Sequence, residues 1–414
     1  MMRSARNVSL FVAGCGLAIG LFGIFWGVQH NEVRPLLGWL MGLAFWMAPM
    51  IGLLMLTMLL YAFDAGWSAI VRRQIEHLLS AFKWVMLLIL PLIAIAWFGD
   101  HPGLLWKWLD PSKLLPSGHG TVGTDPLYLS KSGYLNKDFF TLRSFLFLVL
   151  WIFLAELFRR ESFATDKDGD ARHYSRARRW AAGGIVLMGL TLTFAAIDWF
   201  KSLEYHWFST MYGVWFFAAS MFSGLALTVI TVRLAEKRGV LKGIISSSQY
   251  YLLGCLMLAF TVFWAYISFS QYLITYAANI PEETFWYVMR DVNIDGHLSS
   301  WGWLGMLGLI GGHFLAPFLC LLFFSSKVKT WRLFAIAIWM LIFHMADIYW
   351  NILPGQITVD GHLAYRQFGI TIWEVATLIG IGGVVVASYL NSASKHPPLP
   401  AKDPRVEEAL HYHV

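Results

Sequence analysis

Cysteine is scarce in this chain, and its few positions argue against several kinds of cofactor. The 414 residues include only three cysteines, Cys15, Cys255 and Cys320, and each falls within a long apolar run. There is no CxxC, no CxxCH and no local group of cysteines and histidines. This pattern argues against covalently attached haem, an iron–sulfur cluster or a structural zinc ion held by this chain.

Charged residues are also scarce, and nucleotide-binding motifs are absent. Asp, Glu, Lys and Arg make up 14% of the residues and hydrophobic types 57%, whereas a soluble domain has about 25% charged residues. The chain contains neither a P-loop nor a dinucleotide-binding glycine fingerprint. Any electron carriers that work with this protein are therefore expected on other chains or in the lipid.

Long apolar runs dominate what is present. A helix that spans a bilayer needs roughly 20 apolar residues. The first run, Val8 to Val28, is too long for the core of a signal peptide and lacks a cleavage site, so we expect it to be retained. The sequence predicts an all-α polytopic membrane protein with ten transmembrane helices, at about 8–28, 36–61, 84–99, 139–158, 180–199, 210–232, 249–276, 301–324, 332–353 and 367–390. The third run is short, and the amphipathic segment Ser68 to Lys83 is expected either to lengthen it or to lie along the membrane interface.

The distribution of positive charge predicts the orientation. Of the 31 Lys and Arg residues, 22 fall on the side of the two termini and eight on the other side, with Arg143 inside a run. The positive-inside rule therefore places both termini in the cytoplasm. The basic loop 159–179 is expected to contact anionic lipid, and it implies no nucleic-acid binding.

An internal repeat predicts how the spans are grouped. The run that begins at Gly42 and the run that begins at Gly213 share small and aromatic positions, and a repeat of four spans keeps its orientation. We expect two four-helix bundles with one helix added at each end. The predicted units are an N-terminal span (1–35), a first bundle (36–209) with a long external loop (100–138), a second bundle (210–366), a final span (367–390) and an extended cytoplasmic tail (391–414).

Ionisable residues inside the spans are the strongest indication of function, because such groups usually mark a proton, ion or cofactor path. His344 and Asp347 are three residues apart and share one helix face. His313 and Glu374 are expected at similar depth, with Asp64 and Glu156 towards the cytoplasm. The alternative is that these groups are hydrogen-bond partners in the bundle interior or residues at helix ends. Ligation of haem b by the two midplane histidines is a further alternative.

A second candidate site lies at the external interface, in the segment 195–210. Asp198, Trp199, Glu204 and His206 occur there among further aromatic residues. A quinone head group needs two hydrogen-bonding partners, one of which takes a proton, beside an apolar slot. These four residues are therefore candidates for quinol binding, and an aromatic interfacial belt with solvated charges is the alternative.

Three strings carry a resemblance to a known family. They are AAIDWFKSLEYHWFSTMYGVWFFAAS from Ala195, QYLITYAANIPEETFWY from Gln271 and HMADIYWNILP from His344. In this order they resemble the NrfD-like membrane subunits of bacterial alternative complex III, and more closely the smaller of its two such subunits. The family also includes the membrane anchor of polysulfide reductase.

The resemblance implies an integral subunit of a quinol:electron-acceptor oxidoreductase in the bacterial inner membrane, which is not an enzyme by itself. Quinol or menaquinol is the implied substrate, and haems c and iron–sulfur clusters are implied on partners. Those partners are a second NrfD-like subunit, an iron–sulfur subunit and cytochrome c subunits. The implied proton-conducting residues are Asp198, His313, His344, Asp347, Glu374, Glu156 and Asp64. An autonomous secondary transporter is the alternative from another functional class.

Overall fold

Ten long helices form the protein in the computed structural model, which describes residues 2–115, 120–293, 296–359 and 362–412. Within these residues each of the ten is long and apolar enough to cross a membrane. The predicted all-α fold is confirmed, and the chain is a multi-pass membrane protein. The helices are α1 (Met2–Gln29), α2 (Arg34–Ala62), α3 (Gly66–Phe98), α4 (Lys137–Asp168), α5 (Ala171–Glu204), α6 (Tyr212–Lys237), α7 (Ser247–Ala278), α8 (Ser300–Leu322), α9 (Thr330–Ile352) and α10 (Ile372–Lys395).

The remaining regular structure is short and lies between or after these helices. A single antiparallel hairpin, β1 (Gln356–Val359) and β2 (His362–Tyr365), is the sole sheet among the described residues. Short helices are found at Lys107–Leu109, Val122–Thr124, Pro126–Leu129, Pro281–Asp291, Phe324–Val328 and Val406–Leu410. We call the end of the assembly that carries both termini the termini end, and the opposite end, with the loop between α3 and α4, the loop end.

Helices α2 and α6 form the centre of the assembly. They pack against each other along their length, and α2 also contacts α5 and α10 while α6 contacts α7 and α9. Both are buried on nearly all sides, as expected for helices that are apolar all round. Helices α1 and α10 pack on one another and on α2, so α1 lies at the edge and exposes most of its surface.

Small residues allow the close contact between α2 and α6. A Cβ atom added at Gly52 of α2 would lie only 1.9 Å from the carbonyl oxygen of Ser220 on α6, and one added at Gly224 would lie 3.1 Å from the backbone of Gly52. Close approach through small residues is a common means of packing membrane helices, because lipid gives no hydrophobic drive for their association. A side chain at either glycine would force the two central helices apart.

Helix α3 is interrupted, and the interruption has a local cause. Its regular segments are Gly66–Ser68, Ala69–Leu78, Leu79–Ala81, Phe82–Leu87 and Leu90–Phe98. Pro91 has no N–H for the carbonyl oxygen of Leu87, four residues before it, and at the same break the indole of Trp39 donates to the carbonyl oxygen of Leu88 at 2.8 Å. The segment Ser68 to Lys83 therefore lengthens the third span, which is one of its two predicted placements, and every residue of Ala69–Leu78 is buried.

The loop between α3 and α4 packs onto the loop end of the helices. Trp106 and Trp108 are buried and stack edge-on against Phe140 of α4. The Trp106 indole also donates to the carbonyl oxygen of Trp199 at 3.2 Å. This loop is therefore part of the helical core and covers the ends of α4 and α5.

Candidate functional site

Three ionisable residues meet inside the group of helices α6 to α9. His344 and Asp347 lie on one face of α9, as their spacing predicts, and His313 faces them from α8. We call these three residues the triad. Each is at most 1% exposed, and their ligating atoms all lie within 4.8 Å of one another. The structure thus brings together three of the predicted proton-path residues.

The position of His313 depends on an unusual segment of α8. Leu304–Leu315 is a π-helix, a conformation that is rare and often found at functional sites. Pro317 follows it and has no N–H for the carbonyl oxygen of Gly312, five residues before it. The indole of Trp339 on α9 donates to that oxygen at 2.8 Å. This bond joins α8 to α9 one residue away from His313 and stabilises the wider helix turn.

The Asp347 carboxylate is held by donors on both of its oxygens. The indole of Trp264 on α7 donates to Oδ2 at 3.0 Å, and the side-chain amide of Asn351 donates to Oδ1 at 3.1 Å. Within the described ranges, no lysine or arginine forms an ion pair with this carboxylate. His313 would carry a positive charge next to it only when its imidazole is protonated. Asp347 is therefore fixed in place by neutral donors rather than by a permanent positive charge.

Both histidines have unused hydrogen-bonding capacity. The four ring nitrogens of His313 and His344 have no hydrogen bond of good geometry among the residues that the structure describes, although buried polar groups are normally paired. The backbone of Phe45 lies close enough to the His344 ring for a weak interaction only. His313 Nε2 lies 4.0 Å from Asp347 Oδ2, which is too far for a direct hydrogen bond. His344 packs against Phe45 of α2, with ring centroids 5.3 Å apart.

The geometry of the triad can be compared with what metal ions and haem require. A tetrahedral zinc ion has ligand distances of about 2.0–2.1 Å, so that its ligand atoms lie ~3.3 Å apart. The triad offers two nitrogens and one oxygen, the right donor types, but its 4.0 Å separation is wider. For haem, ligation would run through a ring nitrogen, and the His313 ring itself packs between neighbouring aromatic side chains, with the ring centroids of Phe222 and Trp264 4.1 and 4.0 Å away.

Glu374 lies apart from the triad, at the start of α10. Its carboxylate accepts from the backbone N–H of Thr371 at 2.8 Å and so caps the helix. Its other oxygen lies 2.7 Å from Nε of Arg34. The structure therefore gives Glu374 the contacts of a helix cap and a buried ion pair.

Asp198 is also paired. The Arg143 guanidinium binds it through two parallel contacts, Nε to Oδ2 at 2.8 Å and Nη2 to Oδ1 at 3.0 Å. The Asp198 side chain is fully buried, and the guanidinium lies over the rings of Tyr134 and Phe139. Bidentate pairing of this kind is strong and directional.

The four candidate quinol residues do not share one site. Trp199 is buried and donates to Ser144 Oγ at 3.0 Å. His206 is about one-third exposed, and its Nε2 lies 2.5 Å from Oδ2 of Asp125. Glu204 pairs with Lys107 at 3.3 Å and, unlike the others, lines a cavity at the loop end. Each of the four candidate side chains, Asp198 included, therefore contacts a different set of partners.

The two candidates towards the termini end lie in surface ion pairs. Glu156 is 40% exposed and lies 3.1 Å from Lys83 and 2.9 Å from Arg159. Asp64 follows α2 and accepts hydrogen bonds from Tyr174 and Arg405. Neither carboxylate contacts the triad.

Sequence reasoning missed a buried charged cluster at the termini end. Arg72, Arg73 and Glu76 of α3 are each 1% exposed. Arg73 binds Asp166 of α4 at 2.5 Å, and Arg72 pairs with Asp403 of the C-terminal tail. The four-residue spacing of Arg72 and Glu76 indicates an ion pair, but it gives no sign that this face is buried by another part of the chain.

The C-terminal tail is the segment that covers this cluster. The carbonyl oxygens of Pro398 and Ala409 accept from Gln74 at 3.0 Å and from Gln249 at 2.8 Å. Arg405 donates through Nε to Oδ1 of Asp64 at 2.9 Å. The tail, predicted to be extended, therefore packs along the chain's own surface and includes the short helix Val406–Leu410.

The contact of Asp64 with the tail predicts a dependence on pH. The hydrogen bond from Arg405, followed by that from Tyr174, lowers the pKa of Asp64 below its ordinary value. A carboxyl with a lowered pKa stabilises the docked state above its ordinary pKa of about 4, and this contribution is lost as the pH falls through the lowered value. We expect hydrogen-exchange protection of the tail amides, normalised to unstructured peptides, to fall below about pH 4.

The Asp64→Asn variant should show the same loss of tail protection at neutral pH. Asp170→Asn is the matched control, since Asp170 is exposed at the same end and among the described residues its carboxylate contacts only Arg172, through an ion pair at 3.5 Å and as the cap of α5. Equal protection in Asp64→Asn and the original chain would contradict this role of Asp64.

Comparison with known proteins adds no identification, since no protein-family model and no curated protein matches this chain.

Proposed function

We propose that this chain is an integral subunit of a bacterial quinol:electron-acceptor oxidoreductase of the alternative complex III type. The proposal is supported by the three family-like strings together with the ten-helix fold. It places the chain in the inner membrane with both termini in the cytoplasm, as the excess of Lys and Arg on the termini side favours. The haems c and iron–sulfur clusters belong to cytochrome c subunits and an iron–sulfur subunit, and a second NrfD-like subunit completes the membrane part.

Within this complex, the triad is proposed to carry protons. The observation that carries this role is the group of two buried imidazoles, neither with a hydrogen bond of good geometry among the described residues, beside a buried carboxylate. Two hydrogen bonds of about 2.8 Å to one tetrahedral water put their outer atoms ~4.6 Å apart. The triad atoms lie within 4.8 Å of one another, and His313 and Asp347, which are 4.0 Å apart, would need to separate by only ~0.6 Å to form a set of groups that shares one water. Such a set can pass a proton between its members, and histidine suits this role.

The other predicted proton-path residues have a weaker case. Glu374 and Asp198 are buried in ion pairs with Arg34 and Arg143, so each carboxylate is already bound to a fixed partner. Asp64 and Glu156 contact solvent-accessible partners at the termini end. We therefore assign proton transfer inside the membrane to His313, His344 and Asp347.

Direct quinol binding by this chain has less support than proton transfer. It needs a proton acceptor and a second polar group that converge on one apolar slot. Of the four candidates, only Glu204 lines a cavity, and His206 and Asp198 have partners elsewhere.

Purification from native membranes tests the assignment to a complex. A tagged chain extracted in mild detergent is expected to retain a cytochrome c subunit, an iron–sulfur subunit and a c-type haem spectrum. An identically tagged, unrelated multi-pass protein from the same membranes serves as the control. Recovery of a stable chain without haem or partners, with transport activity of its own, would contradict the proposal and favour an autonomous transporter.

A further inference from the structure

A cavity of about 350 Å³ opens at the loop end, away from the triad. It is bounded by the connection between α1 and α2, the loop between α3 and α4, the end of α5, and the chain that joins α9 to β1. Its volume falls within the range of small-molecule sites, which is about 300–1,000 Å³. The roles assigned above do not use this cavity.

The polar part of the cavity wall is mainly cationic. Lys107, Lys113 and Arg366 line it together with one carboxylate, Glu204. Glu204 is engaged with Lys107, where the two charged atoms lie 3.3 Å apart. Two further carboxylates within electrostatic reach, Glu32 and Asp110, are not part of the cavity wall. The wall therefore presents more positive than negative charge to a bound molecule.

Among the residues that the structure describes, two of these cations have only backbone oxygens as close partners. Lys113 Nζ donates to the carbonyl oxygen of Gly103 at 2.8 Å, and Arg366 Nη1 donates to that of Leu353 at 2.6 Å. Arg366 Nε and Nη2 have no acceptor among the described residues. Burial lowers the pKa of Lys113 below its ordinary value and that of Arg366 to about 10. Both side chains are partly buried, and neither contacts a carboxylate closely among the described residues.

The rest of the wall is apolar. Leu37, Leu104, Leu105, Ile352 and Ile357 contribute to it. A fork of guanidinium donors is well suited to the oxygens of a phosphate group, and lysine binds phosphate as a point charge. An apolar wall beside such donors fits the neighbouring carbon chain of an organic phosphate.

We propose that this cavity binds a phosphate group, held by Lys107, Lys113 and Arg366, with the apolar part of an organic phosphate against the leucine and isoleucine wall. The phosphate comes either from the head group of an anionic phospholipid or from a soluble phosphate at the membrane surface. This proposal is independent of the proposed function and concerns a different part of the molecule.

Two ligands distinguish the sources of phosphate. The full chain, in its native complex, is exchanged exhaustively into detergent and then titrated with phosphatidylglycerol or with inorganic phosphate, and bound phosphorus is measured per chain. Phosphatidylcholine is the zwitterionic control. We expect saturable phosphorus that Lys113→Gln/Arg366→Gln reduces at least tenfold. Retention of phosphatidylglycerol supports the lipid source, and saturation by inorganic phosphate alone supports the soluble source.

Two further variants distinguish a specific loss of phosphate binding from a folding defect. Lys131→Gln is the matched control, since Lys131 is a part-buried lysine at the loop end that donates to Tyr205 and does not line this cavity. Glu204→Gln removes the single carboxylate of the wall and is expected to raise phosphate affinity several-fold. The proposal is overturned if phosphorus binding is equal in all variants, or if Glu204→Gln weakens it. Binding of a neutral quinone analogue with the same dependence on Lys113 and Arg366, and no bound phosphorus, would also overturn it.

Discussion

Replacement of Asp347 with asparagine in the assembled complex is expected to slow proton transfer through this chain about 100-fold, the lower end of what a positioned acid or base contributes. Asparagine has nearly the same shape, and its oxygen can still accept from Trp264. It cannot take up or release a proton. The measurement is proton release per electron in proteoliposomes, with acceptor reduction followed in parallel.

The matched control for this experiment is Asp291→Asn. Asp291 is a part-buried carboxyl near the loop end that lies 3.3 Å from the hydroxyl of Tyr276 and outside the triad. His344→Gln is a second test on the triad, since it removes one of the two buried imidazoles. Unchanged proton stoichiometry and turnover in both triad variants would contradict the proton-carrying role and leave the chain a structural subunit.

Replacement of Asp198 with asparagine is expected to destabilise the protein by about 3–5 kcal/mol, because Arg143 would remain buried without its partner. The pair is bidentate and its carboxylate is fully buried. The measurement is the free energy of unfolding of the detergent-solubilised chain, from denaturant titration. The double variant Arg143→Met/Asp198→Leu should recover much of the loss, because replacement of a buried pair by apolar residues is often neutral.

A surface pair provides the control for the Asp198 experiment. Lys83 and Glu156 lie 3.1 Å apart and are each about 40% exposed, so their removal should cost no more than about 1 kcal/mol. If Asp198→Asn abolished quinol turnover and left the free energy of unfolding unchanged, Asp198 would belong to a quinol site instead. Measurement of stability and quinol turnover in this one variant therefore distinguishes a structural role of Asp198 from a role in quinol binding.

The assignment of proton transfer to the triad depends on a difference in partners between Asp347 and the other buried carboxylates. Asp198 and Glu374 each form an ion pair with an arginine. Among the described residues, the polar partners of Asp347 are neutral N–H donors and the imidazole of His313 at 4.0 Å. A group that must gain and lose a proton during turnover needs both states to be accessible, and the surroundings of Asp347 are consistent with that requirement.

The sequence by itself determined the ten membrane helices and the placement of two triad residues, His344 and Asp347, on one helix face. The length of an apolar run is a local property, so all ten spans could be predicted directly, with ends that differ from the structure by between one and 18 residues. The α10 helix, for example, is Ile372–Lys395, where 367–390 was predicted. His344 and Asp347 share a helix face because a spacing of three places them there in any α-helix.

Only the tertiary structure decided which ionisable residues are paired. Arg143 and Asp198 are 55 residues apart in the chain, and Arg34 and Glu374 are separated by 340 residues. The same is true of Arg72 and Asp403, whose contact depends on the tail folding back over α3. His313 reaches the triad from a π-helix whose displaced carbonyl is satisfied by Trp339 of the next helix. Hydropathy and spacing depend on neighbours along the chain, whereas the charge balance of a buried group depends on the helices packed around it.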